Sequence, residues 1–155
     1  MLRRADAELD KLLVSAYQNV AKVEACMLAS KKNDLSIAEL HILECVGRGG
    51  SGGVSISRIA QALEITLPTV TVAVKRLEKK GYVEKRRDES DGRVALVALT
   101  NQGRKMDAAH RYFHENMVRS ITREMSEAEV KTLVGVLSKL NGFFVRKQAE
   151  MSLKR

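Results

Sequence analysis

The sequence predicts a mainly α-helical protein with one small β-hairpin. Apolar residues recur at helical spacing over long segments at both ends of the chain, and two shorter segments with the same periodicity lie near the middle. Two strand-like runs joined by a charged turn follow these short segments. The chain has 155 residues and a hydrophobic content of 45%, which suffices for one domain with its own core. We therefore expect a single domain over residues 1–155.

Two helices are predicted before the middle of the chain. From Asp6 to about Lys31, apolar residues alternate gaps of four and three, which is the spacing of a helix with a packing seam. Ser36 precedes a second apolar-periodic segment, and Glu39 completes the pattern of a capping box. We expect this helix to end at Gly47, where the run GRGGSGG predicts a loop.

A helix–turn–helix is predicted after the glycine-rich loop. The first of its helices can bury four apolar residues, Ile56, Ile59, Ala60 and Leu63. Thr66 suits the N-cap of the second, and Pro68 suits the first turn because its missing N–H has no partner there. The second helix is predicted over Thr66–Lys80, with Val70, Ala73, Val74 and Leu77 buried. The opposite face then presents Thr69 or Thr71, together with Val72, Lys75, Arg76 and Lys79.

A β-hairpin is predicted directly after the helix pair. The runs YVEKRR and RVALVAL read as strands, and DESDG between them reads as the turn. Such a hairpin forms a wing whose tip spans Asp88–Arg93 and whose arginines, Arg86, Arg87 and Arg93, can reach phosphates or a minor groove. We expect Asp91 to pair with one of these arginines and to orient it.

The distribution of charge indicates a polyanionic partner. The net charge is +8, and residues 75–87 hold seven basic side chains and two acidic ones. Threonines, a valine and cations on an exposed helix match the chemistry of DNA backbone and base edges. We therefore predict binding of double-stranded DNA through Thr66, Pro68, Thr69, Thr71, Val72, Lys75, Arg76, Lys79, Arg86, Arg87, Asp91 and Arg93.

Other function classes fit the sequence less well. A membrane surface also attracts a basic patch, but this patch belongs to a helix–turn–helix and wing rather than to one long amphipathic face. No motif pairs a nucleophile with a base, and no phosphate-binding loop is present, so we do not expect an enzyme or a required cofactor. No apolar run approaches the length of a membrane span, which predicts a cytoplasmic protein.

Apolar seams near both ends of the chain predict a homodimer. A long helix is predicted from Thr100, and Ser126 with Glu129 forms a capping box that starts the last helix. The seams exceed what a small lobe over residues 35–100 can cover by itself. We therefore assign residues 1–34 and 101–155 to dimerisation, with an interface formed by Leu9, Leu13, Val20, Leu133, Leu137, Leu140 and Phe144.

Two motifs together resemble the MarR-type winged-helix transcriptional regulators. They are ALEITLPTVTVAVKRLEKKGYVEKRR, which is similar to the recognition segment of that family, and DGRVALVALTNQG, which matches its wing pattern. The resemblance implies a repressor whose terminal helices interlock across a two-fold axis, so that the dimer binds a palindromic operator. Within the family, SIAELHILECVG, ITLPTVT and HENMVRSITREMS resemble the FabT-type repressors of fatty-acid biosynthesis. That likeness implies an acyl-chain effector, carried on acyl carrier protein.

Two other signals remain open as alternatives to an acyl chain. His110 and His114 lie four residues apart on one helix, and with His41 and Glu24 they would make a zinc site. This set resembles the metal site of MarR-type zinc-uptake repressors. Redox sensing through Cys26 is the other alternative, although Cys26 and Cys45 lack CxxC spacing and are expected to be buried thiols.

Overall fold

The computed structural model describes residues 4–30, 34–87 and 95–152. Within them lie six α-helices, a 3₁₀ turn at Gly50–Gly52 and three strands, which confirms the predicted mainly α fold with a small β-structure. The helices are α1 (Arg4–Ser30), α2 (Ile37–Arg48), α3 (Ile56–Leu63), α4 (Leu67–Lys79), α5 (Asn101–Thr122) and α6 (Glu127–Ser152). The strands are β1 (Val54–Ser55), β2 (Val83–Arg87) and β3 (Ala95–Leu99). In these residues no helix combines the length and apolar character required to span a bilayer.

The strands form one antiparallel sheet in the order β1-β3-β2. The β2–β3 hairpin is the predicted wing, with Val83 opposite Leu99 and Arg87 opposite Ala95. The short strand β1, which precedes the helix pair, was not expected from the sequence. It pairs with the far edge of β3, so the segment that enters α3 is joined directly to the wing.

Polar residues define where the helices begin. Ser36 forms the predicted capping box with Glu39, whose backbone N–H lies 3.2 Å from Ser36 Oγ. Thr66 caps α4, and Ser126 makes the predicted reciprocal bonds with Glu129 at the start of α6. Each cap satisfies N–H groups that have no intrahelical acceptor.

The hydrophobic core lies where α2, α3 and α4 meet the sheet. The helix pair turns at Glu64, a non-glycine residue in the left-handed conformation with φ 54°. Tyr82 and Leu99 extend the core toward the start of α5. Its fully or almost fully buried apolar side chains are Leu40, Ile42, Leu43, Val46, Ile59, Val70, Val74, Leu77 and Val97.

The chain divides into two compact units, Met1–His110 and Arg111–Arg155. The first contains the helix–turn–helix and the sheet. The second contains the last part of α5 and all of α6, whose exposed apolar side chains include Val134, Leu137 and Phe144.

The glycine-rich loop has a defined conformation. Gly50 and Gly53 adopt φ values of 70° and 80°, which side-chain-bearing residues rarely adopt. A Cβ atom on Gly53 would lie 2.8 Å from the carbonyl oxygen of Val97 in β3. Gly53 therefore permits the close approach of this loop to the sheet.

We expect Gly103→Ala to destabilise the protein by about 1–3 kcal/mol because the added methyl overlaps the Tyr82 carbonyl oxygen and crowds Leu99. Urea unfolding at fixed protein concentration measures this change. Gly52→Ala is the control because no atom lies within 4 Å of the position of its Cβ. If Gly103→Ala lowers the free energy of unfolding no more than Gly52→Ala does, the close packing at the start of α5 is contradicted.

Candidate nucleic-acid interface

Helix α4 turns a cationic face outward because its other face is held in the core. Val70, Val74 and Leu77 are fully buried, as predicted from their spacing. The exposed positions include Thr69, Lys75, Arg76 and Lys79, together with Val72, of which 50% is exposed. Among the described residues, no ion pair involves Lys75, Arg76 or Lys79. These cations are therefore available to an external polyanion.

The first turn of α4 is organised by threonine hydroxyls. The oxygens of Thr66 and Thr69 lie 2.8 Å apart, and Thr66 also accepts the backbone N–H of Thr69. Pro68 lies in this first turn, as predicted. Thr71 differs because its hydroxyl donates to the carbonyl oxygen of Leu67 at 2.8 Å. The sequence left open which of Thr69 and Thr71 faces outward, and the structure favours Thr69 because Thr71 is half-buried.

The wing strands carry arginines in two different settings. Arg87 is exposed at the end of β2. Arg86 instead bonds the carboxylate of Glu84 and donates to the carbonyl oxygen of Ser51 at 3.3 Å. This arginine therefore links the wing to the glycine-rich loop, a contact that the sequence pattern did not indicate. Asp91 and Arg93 lie outside the described residues, and so does the predicted ion pair of Asp91.

A small cleft next to the helix pair was also absent from the sequence predictions. Ser55 accepts the backbone N–H of Arg58 and so caps α3. Arg58 is exposed, and Arg48 pairs with Glu44 at 2.5 Å. The cleft has a volume of about 280 Å³ and is lined by Cys45, Arg48, Gly49, Gly53, Val54, Arg58 and Ala62. These arginines add positive potential beside the strand that leads into α3.

Two of the four predicted metal ligands come together in the first unit. Glu24 and His110 are buried, and a carboxylate oxygen of the former lies within 4.8 Å of a ring nitrogen of the latter. The ring centroids of His41 and His110 lie 6.2 Å apart, and their planes are inclined at 48° to each other. Glu44 was not predicted here, but its Oε2 atom lies 3.9 Å from Nδ1 of His110. His114 follows one turn later on α5, in the second unit.

The two thiols have different surroundings. Cys26 is exposed on α1, so the prediction of a buried thiol is wrong for this residue. Helical spacing alone does not tell which of several apolar positions faces solvent in one chain. Cys45 is half-buried, and burial raises the pKa of its thiol, which favours the protonated form at neutral pH.

The predicted dimer-interface residues are largely exposed in the single chain. Leu9, Leu137 and Phe144 each have more than half of their surface exposed, at 52%, 51% and 54%. Val20 is 42% exposed, whereas Leu13, Leu133 and Leu140 are half-buried. These apolar side chains lie on the described parts of α1 and α6 and remain uncovered within each compact unit.

A helix–turn–helix followed by an antiparallel hairpin, with a cationic face on its second helix, defines a winged-helix DNA-binding protein. The MarR family model matches residues 35–95, which hold this helix pair and most of the wing. The FabT protein of Streptococcus pneumoniae, solved in complex with DNA, is 34% identical over 89% of this chain and 96% of its own, with a TM-score of 0.83. The chain belongs to the MarR family of transcriptional regulators.

One further relative agrees with this assignment, and a second solved structure shares the fold. The transcriptional regulator BilQ of Clostridium symbiosum is 29% identical over 84% of this chain and 87% of its own length. A MarR family protein from Bacillus stearothermophilus shares the fold, with a TM-score of 0.75 and 21% identity over 94% of this chain and 99% of its own. The predicted resemblance to MarR-type regulators, and to FabT among them, is confirmed. BilQ is a regulator of transcription rather than an enzyme.

We expect Val72→Ala to weaken preference for one base pair by about fivefold, because a lost apolar contact to a base edge costs roughly 1 kcal/mol. Selection from randomised duplexes, followed by affinity measurements, tests this. Thr71→Val is the matched control because the Thr71 hydroxyl is bonded within the helix. An unchanged preference in Val72→Ala, or a changed one in Thr71→Val, would show that the face of α4 was wrongly assigned.

Proposed function

We propose that the protein is a cytoplasmic homodimeric repressor that binds a palindromic operator. The outward face of α4, with three cations that form no ion pair among the described residues, is the observation that carries this proposal. In the proposed complex with the operator, α4 enters the major groove and the wing tip at residues 88–93 reaches a flanking minor groove. Thr66 and Thr69 lie at the helix N-terminus, where N–H groups favour a phosphate.

Exposed apolar surfaces support the homodimer. Leu9 and Val20 on α1, and Leu137 and Phe144 on α6, present large apolar side chains that water contacts in a single chain. Covering such side chains with a second copy removes apolar area from water, which favours association. A two-fold axis then repeats each recognition helix, and the operator repeats its half-site with the same symmetry.

The spacing between half-sites tests the dimer. An operator selected from randomised duplexes should contain an inverted repeat whose half-site centres lie a whole number of turns apart, each turn about 10–10.5 base pairs. Inserting about five base pairs rotates one half-site to the opposite side of the duplex and should weaken binding by about 100-fold or more. An insertion of about ten base pairs controls for changed distance alone. Equal affinity for one half-site and for the complete repeat would contradict the proposal.

The effector in this proposal is a long acyl chain, delivered by acyl carrier protein, and the regulated genes are those of fatty-acid synthesis. Support comes from the 34% identity to FabT across 89% of the chain.

A zinc-responsive regulator is the second candidate. The observation that favours it is the proximity of Glu24 and His110, since a carboxylate oxygen and an imidazole nitrogen are both zinc ligands. Both side chains are buried, with the His41 ring nearby. A metal bound there would be held by residues of the first compact unit.

Native mass spectrometry of protein purified without chelator distinguishes these effectors. We expect a dimer that gains mass with long-chain acyl carrier protein and not with carrier protein lacking the acyl chain. Retained zinc that is lost in Glu24→Gln would favour the metal instead. A monomer would contradict the homodimer, and a dimer that binds neither probe would contradict both effectors.

A further inference from the structure

Lys80 differs from the other cations near α4 because its charge points into the protein. It is the C-cap residue of the recognition helix, and its side chain is only 22% exposed. The ammonium nitrogen lies 3.2 Å and 3.0 Å from the two carboxylate oxygens of Glu39. It also donates to the backbone carbonyl oxygen of Asp34 at 2.5 Å.

Glu39 binds Lys80 and also takes part in the capping box at the start of α2. Its side chain is 8% exposed, and the same carboxylate accepts the backbone N–H of Ser36 at 2.9 Å. Burial raises the pKa of Glu39, but hydrogen bonds from Ser36 and Lys80 outweigh that effect and lower it overall. The carboxylate is therefore charged at neutral pH, and removing its cation leaves a buried charge that is costly.

We propose that Lys80 is a positioning residue that sets the angle of the recognition helix, and that it does not bind DNA phosphate. Its three acceptors lie on the segment before α2 and on the first turn of α2, so these contacts fix the C-cap of α4 to another element. Lys79 is adjacent but exposed, and it forms no ion pair among the described residues. Neighbouring lysines therefore have different roles.

Helix geometry shows why one end of α4 matters for recognition at the other. The helix has 13 residues. At 1.5 Å per residue it is about 20 Å long, so a tilt of about 5° at the C-terminus displaces the N-terminal turn by about 2 Å. Hydrogen bonds to base edges tolerate only a few tenths of an ångström. Loss of the ion pair between Lys80 and Glu39 should thus reduce discrimination between DNA sequences more than it reduces the general attraction to DNA.

The test compares Lys80→Met with Lys79→Met on a selected operator and on a scrambled duplex, over a range of salt concentrations. The salt slope is the slope of log binding constant against log salt concentration. We expect Lys79→Met to reduce its magnitude by about 0.9, because one lysine contact to a phosphate is lost. Lys80→Met should keep the wild-type slope, whereas its preference for the operator over the scrambled duplex should fall about tenfold. Lys80→Arg should restore that preference because a guanidinium also binds a carboxylate.

The readouts separate positioning from general loss of structure. A purely structural defect lowers the folded fraction and thus affects both duplexes equally, so their affinity ratio is unchanged. If Lys80→Met does not fold, Glu39→Gln carries the test. Its amide oxygen still accepts the Ser36 N–H, while the nearer of the two carboxylates that pair with Lys80 loses its charge and only that of Asp34, at 3.8 Å, is left. A smaller salt slope or an unchanged preference in the variant that folds would overturn the proposal. Failure of the wild-type protein to prefer any operator would instead reject the operator model.

Discussion

Burial of one face of α4 is the constraint on which the candidate interface depends. Val70, Val74 and Leu77 have no exposed surface, and each turn of the helix contributes at least one of them to the core. Burying such side chains contributes roughly 1.5–3 kcal/mol each, so rotating the helix about its axis is strongly disfavoured. The outward direction of Lys75 and Arg76 is thus a consequence of packing, without a separate interaction to hold them in place.

Local signals in the sequence were sufficient for most of the fold. Helical spacing predicted the helices of both compact units, and Ser36, Thr66 and Ser126 marked helix starts that the structure confirms through hydrogen bonds. The charged turn between two strand-like runs predicted the hairpin. The helices and their caps rest on residues within four positions of each other, and the hairpin joins two strands that are adjacent along the chain, so sequence relates directly to structure in both cases.

Contacts between distant residues could not be predicted in this way. Lys80 and Glu39 are 41 positions apart, and Arg86 and Ser51 are 35 apart, so no periodic pattern links them. From the sequence alone Lys80 counted as one more cation in a basic segment. The two-residue strand β1 is too short to show an alternating pattern, and its pairing with β3 depends on the completed fold.

The glycine-rich loop also limits how this protein can vary in evolution. Gly52 has open space around it, so a side chain there meets no packing cost, whereas the φ of 70° at Gly50 strains any residue that bears a side chain. Gly53 has no such freedom because the Val97 carbonyl oxygen occupies the space beside it. Side-chain-bearing residues should therefore be tolerated at Gly52 more readily than at Gly50 or Gly53.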